Sequence, residues 1–210
     1  PTPDNNPPTS TLFFYMPPPH PYGLFCQWAP FPLAIPTRSL SFLLSAHAGT
    51  LYFHTAEHLY MYAKAAYFAD VPSSTAIQSS ATPKAAKALG RRVSGFSDAA
   101  WASVRFRVAS VGNWYKFVQH RDMRDVLLGT GECELAEAAA RDRVWGVGFN
   151  AGMAEGMRRL WGLNLLGKAL MRVRGRLRVV GEEDEGAGGD REGDQEEGED
   201  GVGEAEAEAE

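Results

Sequence analysis

The sequence predicts one mostly helical α+β domain with short strands, followed by a disordered acidic tail. Three observations carry that expectation. From residue 55 onward, capping residues repeatedly precede stretches with apolar side chains every three or four positions, the period of one helix face. β-branched and aromatic runs exist, but they are only a few residues long. After Val180 the chain is almost entirely Gly, Asp and Glu, with an Ala-Glu repeat. Such a composition buries too little apolar surface to offset an ordering cost of about 1–2 kcal/mol per residue. The expected division is a disordered 1–10, a domain over 11–180 and a disordered tail over 181–210.

Residues 11–16 (TLFFYM) are the first strand candidate. Residues 17–36 hold seven of the thirteen prolines, so extended chain and turns are expected there, without a helix. Leu51-Tyr52-Phe53 follows the Gly49 turn as a second strand. Thr55 is placed to cap a helix from Ala56 to Ala69, stopped by Asp70-Val71-Pro72. Ser73 or Ser74 caps a short helix reaching Ser80. Thr82-Pro83 opens another, with Gly90 just past its end. Ser97 caps one long helix from Asp98 to Gln119, with Trp101, Val104, Val108, Val111, Tyr115 and Val118 on its buried face. A short helix runs from Met123 to Leu128 before Gly129. Glu134-Leu135-Ala136-Glu137 reads as a strand because it leads into a Gly-rich turn. Residues 145–162 read as loop with one helical turn. The last helix spans Leu163 to Arg178, with Leu166, Leu170, Val173 and Leu177 on one face.

With 44% hydrophobic and 22% charged residues, the chain is not collagen-like, a coiled coil or wholly disordered. No run of about 18 apolar residues supports a membrane span. The first residues lack a basic start followed by an apolar core, so no signal peptide is expected. Cys26 and Cys133 are too few for a disulfide framework, and a reducing intracellular compartment, cytoplasm or nucleus, is the expectation. The net charge of −5 hides an asymmetry: residues 181–210 hold 15 acidic residues and one basic, a net of −14, which leaves +9 on residues 1–180. A basic body suits an anionic ligand such as a phosphate, a dinucleotide or a nucleic acid, and equally a solvated basic surface. The tail can compete with such a ligand or bind a basic partner.

Chemistry concentrates in a few segments. On a helix, Glu57, Tyr60 or Met61, and Lys64 share one face. A carboxyl and an amine two turns apart can flank a ligand: the first as acid or base, the second as a phosphate partner or a nucleophile toward a sugar aldehyde. Structural roles are open for both, since a first-turn carboxylate complements the helix dipole and a lysine can snorkel. His58 lies on another face with no His or Cys at ligand spacing, so neither a metal nor a cofactor is expected. In Asp142-Arg143-Val144-Trp145-Gly146-Val147-Gly148, the glycines suit close approach to a ligand, the indole stacking and the Arg phosphate binding. A tight turn around a core Trp is the alternative. The spacing is neither a dinucleotide fingerprint nor a P-loop. Asn164 opens the last helix, whose amides can hold an anion. Arg91 and Lys116 belong to basic clusters that can meet phosphates.

The order of these motifs resembles the NADAR family, also described as YbiA-like. The resemblance rests on Tyr52-Phe53-His54-Thr55-Ala56-Glu57-His58 with Lys64-Ala65, on Pro83 to Arg91, Trp101 and Lys116-Phe117, and on Leu127 to Gly131. It continues through Leu135-Ala136-Glu137-Ala138, Asp142 to Phe149, and Trp161 to Met171. It covers about residues 11–178, and the last two motifs are the most specific. It implies a YbiA-like fold and hydrolysis of an N-glycosidic bond at a ribose C1. The family's substrate classes are phosphoribosylamino-pyrimidine intermediates of riboflavin synthesis and ADP-ribose attached to guanine, free or in nucleic acid.

Carried over residue by residue, the resemblance puts Glu57, Lys64 and Asp142 in the catalytic set. Trp145, Gly146, Arg143, Lys116, Arg91, Trp101, Asn164 and Gln27 are expected to contact substrate. Glu57, in the first turn, is expected to work ionised, as a base. Two departures stand out. Cys26 occupies a position where the family has a serine hydroxyl, and a thiol is a weak donor. Residues 38–50 form a longer connection than usual. A non-catalytic ADP-ribose or NAD reader is the alternative function, although a reader needs neither the acid nor the amine.

Overall fold

The computed structural model describes residues 10–20, 22–43 and 49–188. The expected disorder of residues 1–9 and 189–210, and residues 44–48 of the long connection, lie outside the described residues. The chain is mostly helical with four short strands among the described residues, as the sequence predicts. Strand β1 (Thr11–Phe14) pairs in parallel with β4 (Glu134–Glu137), Phe14 standing opposite Glu137. Strand β2 (Leu33–Pro36) pairs antiparallel with β3 (Thr50–Phe53). The expected first strand is two residues too long. Tyr15 and Met16 leave the ladder at 45% and 51% exposure and face a cavity instead. The sequence reading misses β2 inside the proline-rich stretch; its Pro36 sits at the strand end, where a missing N–H costs least. Short 3-10 turns at Gly23–Phe25 and Thr37–Leu40 fill the rest of that region.

Helix α1 (Ala56–Tyr67) starts at the predicted cap, the Thr55 hydroxyl accepting from the His58 amide. It is buried on most sides, with α2 (Val71–Gln78), α3 (Pro83–Gly90) and α5 (Arg105–Gln119) packed around it. His58 explains part of that packing. Its Nε2 donates to the Ser80 carbonyl (3.0 Å), leaving Nδ1 to accept from the Thr55 hydroxyl (2.8 Å). Burial lowers its pKa, so the ring is a neutral clip between the start of α1 and the end of α2.

Three of the helix boundaries that differ from expectation have a visible cause. The cap of α2 is Asp70, not Ser73 or Ser74. One Asp70 oxygen accepts from the Ser73 amide (3.0 Å) and the other from the Ser94 amide (2.9 Å), so it serves two segments at once. Gly90 is the last residue of α3 rather than the residue beyond it. A Cβ there would meet the Met61 sulfur at 2.2 Å, so the glycine lets α3 close onto α1. The single long helix expected over 98–119 is two. Helix α4 (Asp98–Ala102) ends where the Ser103 hydroxyl donates back to the Ala100 carbonyl (2.7 Å), and α5 begins on a new phase. Val118 is therefore 41% exposed, while Asn113 and Lys116 are fully buried.

Helix α6 (Arg121–Gly129) leads to β4, and α7 (Ala151–Ala154) continues into a 3-10 turn over Glu155–Leu160. The last helix, α8 (Leu165–Gly188), runs past the expected end at Arg178 and past the expected start of the tail. Leu166, Leu170, Val173 and Leu177 form its buried face, as predicted. They join Phe14, Phe25, Phe117, Leu127 and Leu135 in the largest core cluster. Among the described residues no helix is long and apolar enough to cross a membrane, and both cysteines are free.

Candidate active site

A cavity of about 450 Å³ opens between α1, α3, the exit of β1, the 26–28 segment and the turn after β4. The size is that of a small-molecule site. The first turn of α1 puts Glu57 inside it. The Glu57 amide donates to the Gln27 carbonyl (3.1 Å), which fixes the 26–28 segment against the helix start. The Gln27 side chain donates to Asn113 (3.0 Å) from the cavity wall. Glu57 itself is 6% exposed, and its Oε1 is out of solvent with no hydrogen-bond partner. Burial raises its pKa to about 7; Lys87, the Trp28 side chain and Arg91 pull the other way, and Asp142 adds to the rise. Desolvation thus outweighs the helix dipole at Glu57, whose carboxyl takes up a proton as the pH falls through about 7.

Lys64 also lines the cavity. Its Nζ donates to the Gly90 carbonyl (2.8 Å) and stands 3.7 Å from the centre of the Phe96 ring. Burial lowers its pKa. Asp142 reaches the cavity from the turn after β4, and its Oδ1 accepts from the Val144 and Trp145 amides (2.9 and 2.7 Å). That turn presents Trp145, which meets Tyr60 edge-to-face at 5.0 Å. Arg91 lines the opposite side. Glu57, Lys64, Asp142, Trp145, Arg91 and Gln27 are therefore brought together.

The other predicted contacts stand behind the wall and do not line the cavity. Lys116 is fully buried, and its Nζ donates to the Cys26 carbonyl (2.9 Å), holding the 26–28 segment from below. Burial depresses its pKa to about 7. The Trp101 indole donates to the Tyr60 hydroxyl (2.7 Å) and sets that ring. Gly146 lies where a Cβ would meet the Glu137 carbonyl oxygen at 2.8 Å. Arg143 donates to the Leu160 carbonyl (2.7 Å). Asn164, at φ +49°, accepts from the Glu137 amide (3.1 Å) and donates to the Leu135 carbonyl (2.9 Å). The two most specific motifs are mated along their backbones. Gly162, Leu163, Asn164, Leu165 and Leu166 donate in turn to Val147, Arg143, Gly146, Val144 and Trp145.

Sequence reasoning missed Glu137, Lys87 and Trp28 as wall residues, and the Tyr60 it placed beside Glu57 and Lys64 lines the cavity with them. Two of the missed residues left a signal. Strand alternation puts Glu137 on the same face as Leu135, a core leucine, so its carboxyl turns inward. Lys87 precedes Arg91 by one helical turn, on the same face of α3. Glu137 has its Oε2 out of solvent and without a partner. Its pKa is pushed up to about 8 by burial first and Asp142 second, against Lys87. Lys87 also stands 5.7 Å from the Trp28 ring centre. Cys26 lines the cavity; its sulfur accepts from the Trp28 amide (3.4 Å), and burial raises its pKa.

The NADAR domain model matches residues 13–178. An N-glycosidase of Acanthamoeba polyphaga mimivirus is 37% identical over 122 residues, 57% of this chain and 72% of that protein. An N-glycosidase of Nostoc punctiforme is 33% identical over 168 residues, 80% of this chain and 93% of the other. The NMR structure of the Escherichia coli protein YbiA superposes with a TM-score of 0.61 at 27% identity, covering 83% of this chain and 88% of that one. With the family model spanning the whole body, from β1 to the buried part of α8, this chain belongs to the NADAR domain family.

Proposed function

We propose that the chain is an N-glycosidase that hydrolyses the C1–N bond between a phosphate-bearing ribose and a base. ADP-ribosylated guanine, in nucleic acid or as a nucleotide, is the first substrate class, and phosphoribosylamino-pyrimidines are the second. The observation that carries the reading is Glu57, a desolvated carboxyl with a pKa near 7 inside a cavity of ligand size. Around it, Trp28, Tyr60 and Trp145 offer aromatic faces to a base. Lys87 and Arg91 offer positive charge to phosphate. Breaking the C1–N bond builds positive charge on the sugar, which nearby carboxylates stabilise. The relatives' shared name, N-glycosidase, supports the same bond class.

The test is turnover of ADP-ribosylated guanine in a DNA oligomer, read by mass, with the wild type beside Glu57→Gln. Wild-type release of free ADP-ribose is expected, with kcat lowered about 10²–10⁴-fold in the variant. ADP-ribose binding by calorimetry should change by less than about threefold. Binding without release by the wild type would favour the reader, or the pyrimidine class as next substrate. Borohydride reduction during turnover decides between the two roles of Lys64. A ribosyl adduct on its amine assigns the nucleophile; its absence assigns charge stabilisation.

A further inference from the structure

We propose that Glu57 and Glu137 work as one acid–base pair that carries a single proton at neutral pH, with Glu137 as the acid and Glu57 as the base. The catalytic half of this proposal rests on the glycosidase reading above; the proton itself does not. Glu57 Oε1 and Glu137 Oε2 are the buried side-chain oxygens without a hydrogen-bond partner among the described residues, and both residues line one cavity. Buried acceptors in native proteins are normally satisfied, so two orphans at one site need a reason. Two bare carboxylates facing one cavity repel each other, and Lys87 opposes that repulsion at both.

Arg141 and Tyr60 line the cavity with the pair, and other charged groups reach it from the surrounding elements. Asp142, from the turn after β4, accepts two backbone N–H groups and stands beside the pair as a third carboxyl. From α3, Lys87 acts on both glutamates, and Arg91 acts on Glu57. Lys64, further along α1, is engaged by the Gly90 carbonyl. Lys116 is engaged by the Cys26 carbonyl, and the buried Cys26 thiol is pushed toward its neutral form. One proton on the pair relieves the repulsion between its two buried carboxyls. It belongs on Glu137, which has Asp142 as its strongest charged neighbour. Glu57 has Lys87, Arg91 and the Trp28 side chain, all of which favour its ionised form.

The step balances. Glu137 gives its proton to the departing base nitrogen, which keeps the electron pair of the broken C1–N bond. A water oxygen bonds to C1, and the proton that water loses passes to Glu57. The pair ends with the one proton it began with, and exchange through water entering the cavity returns that proton to Glu137.

The proton is read without substrate. Infrared or carboxyl-carbon NMR titration of the free wild type is expected to show one protonated glutamate at pH 7 that is absent in Glu137→Gln. Glu57→Gln should lower the midpoint of the remaining carboxyl by removing its repelling partner. A wild type with no carboxyl protonated above pH 6, or a signal unmoved in Glu137→Gln, overturns the pair. Turnover then tests the roles. On whichever substrate class the wild type cleaves, Glu137→Gln is expected to lower kcat at least about 100-fold with ADP-ribose binding within about threefold. Wild-type turnover in that variant overturns the acid assignment. A single proton on the pair in a wild type that cleaves neither class sinks the glycosidase reading and leaves the pair standing. If Glu137→Gln fails to fold by circular dichroism, Glu137→Asp keeps the carboxyl on a shorter arm. The proton should then persist while kcat falls; a wild-type kcat overturns the assignment.

Discussion

Glu57 stands in the first turn of α1, where the helix dipole favours a carboxylate by about 0.3–1 kcal/mol. Removal from solvent acts in the other direction and is larger, since the group is protonated up to about pH 7. The sign of the linked stability follows. The native state keeps a proton that the unfolded chain loses near pH 4.5, so the contribution is complete below that pH and is lost as pH rises to about 7. At 1.36 kcal/mol per unit, the loss is about 3 kcal/mol. Glu57→Gln should therefore be more stable than wild type by up to that amount at pH 8, and equal to it at pH 4, in urea unfolding. Lys116 acts in a separate window, because its depressed pKa destabilises the fold below about pH 7 and is relieved as pH rises toward 10.5. Of the site, the sequence makes legible the residues on helix faces and in motif turns: Glu57, Lys64, Arg91, Asp142 and Trp145. It hides the burial of Lys116 and Asn113, because a buried polar residue breaks the apolar period used to find a buried face.

At the scale of elements, strong local signals were readable and tertiary overrides were not. The Thr55, Thr82 and Ser97 caps, the β4 strand and the buried stripe of α8 depend on a few neighbouring residues, and all of them stand in the structure. The Asp70 cap, which also serves Ser94, and the early end of β1 depend on partners far along the chain. The contact of α8 with β4 is of the second kind, and it aims Glu137. Asn164 ties both the Glu137 amide and the Leu135 carbonyl, and a Cβ on Gly167 would stand 1.9 Å from that same carbonyl oxygen. Asn164→Gly keeps the left-handed backbone available and removes only the two hydrogen bonds. It should cost about 2–4 kcal/mol in chemical denaturation and lower kcat by loosening Glu137. Gly167→Ala must displace β4 or α8, with a cost of about 3 kcal/mol. If either variant keeps wild-type stability, the strand is held by something other than this contact.

On the scale of the whole molecule, charge separates the two substrate classes. Residues 1–180 carry +9 and residues 181–210 carry −14. A DNA strand presents phosphates well beyond the cavity, so it feels both the attraction of the body and the repulsion of the tail. A nucleotide or phosphoribosyl compound has few charges and feels mainly the residues it touches. Ending the chain at Gly188, the end of α8, removes eleven acidic residues and one arginine. With ADP-ribosylated guanine in an oligomer, the shortened chain should show a KM lower by about tenfold at 0.05 M salt, because each phosphate neutralised adds to a salt-sensitive affinity. At 1 M salt the Debye length falls to about 3 Å and the difference should vanish. With a free nucleotide, the two chains should differ by less than about twofold at either salt. Kinetics of both chains on both substrates supply the comparison. A tail effect confined to the oligomer means that the basic body receives nucleic acid. Equal KM values for the two chains on the oligomer would mean that the acidic tail does not screen the body, and that the cavity alone sets affinity.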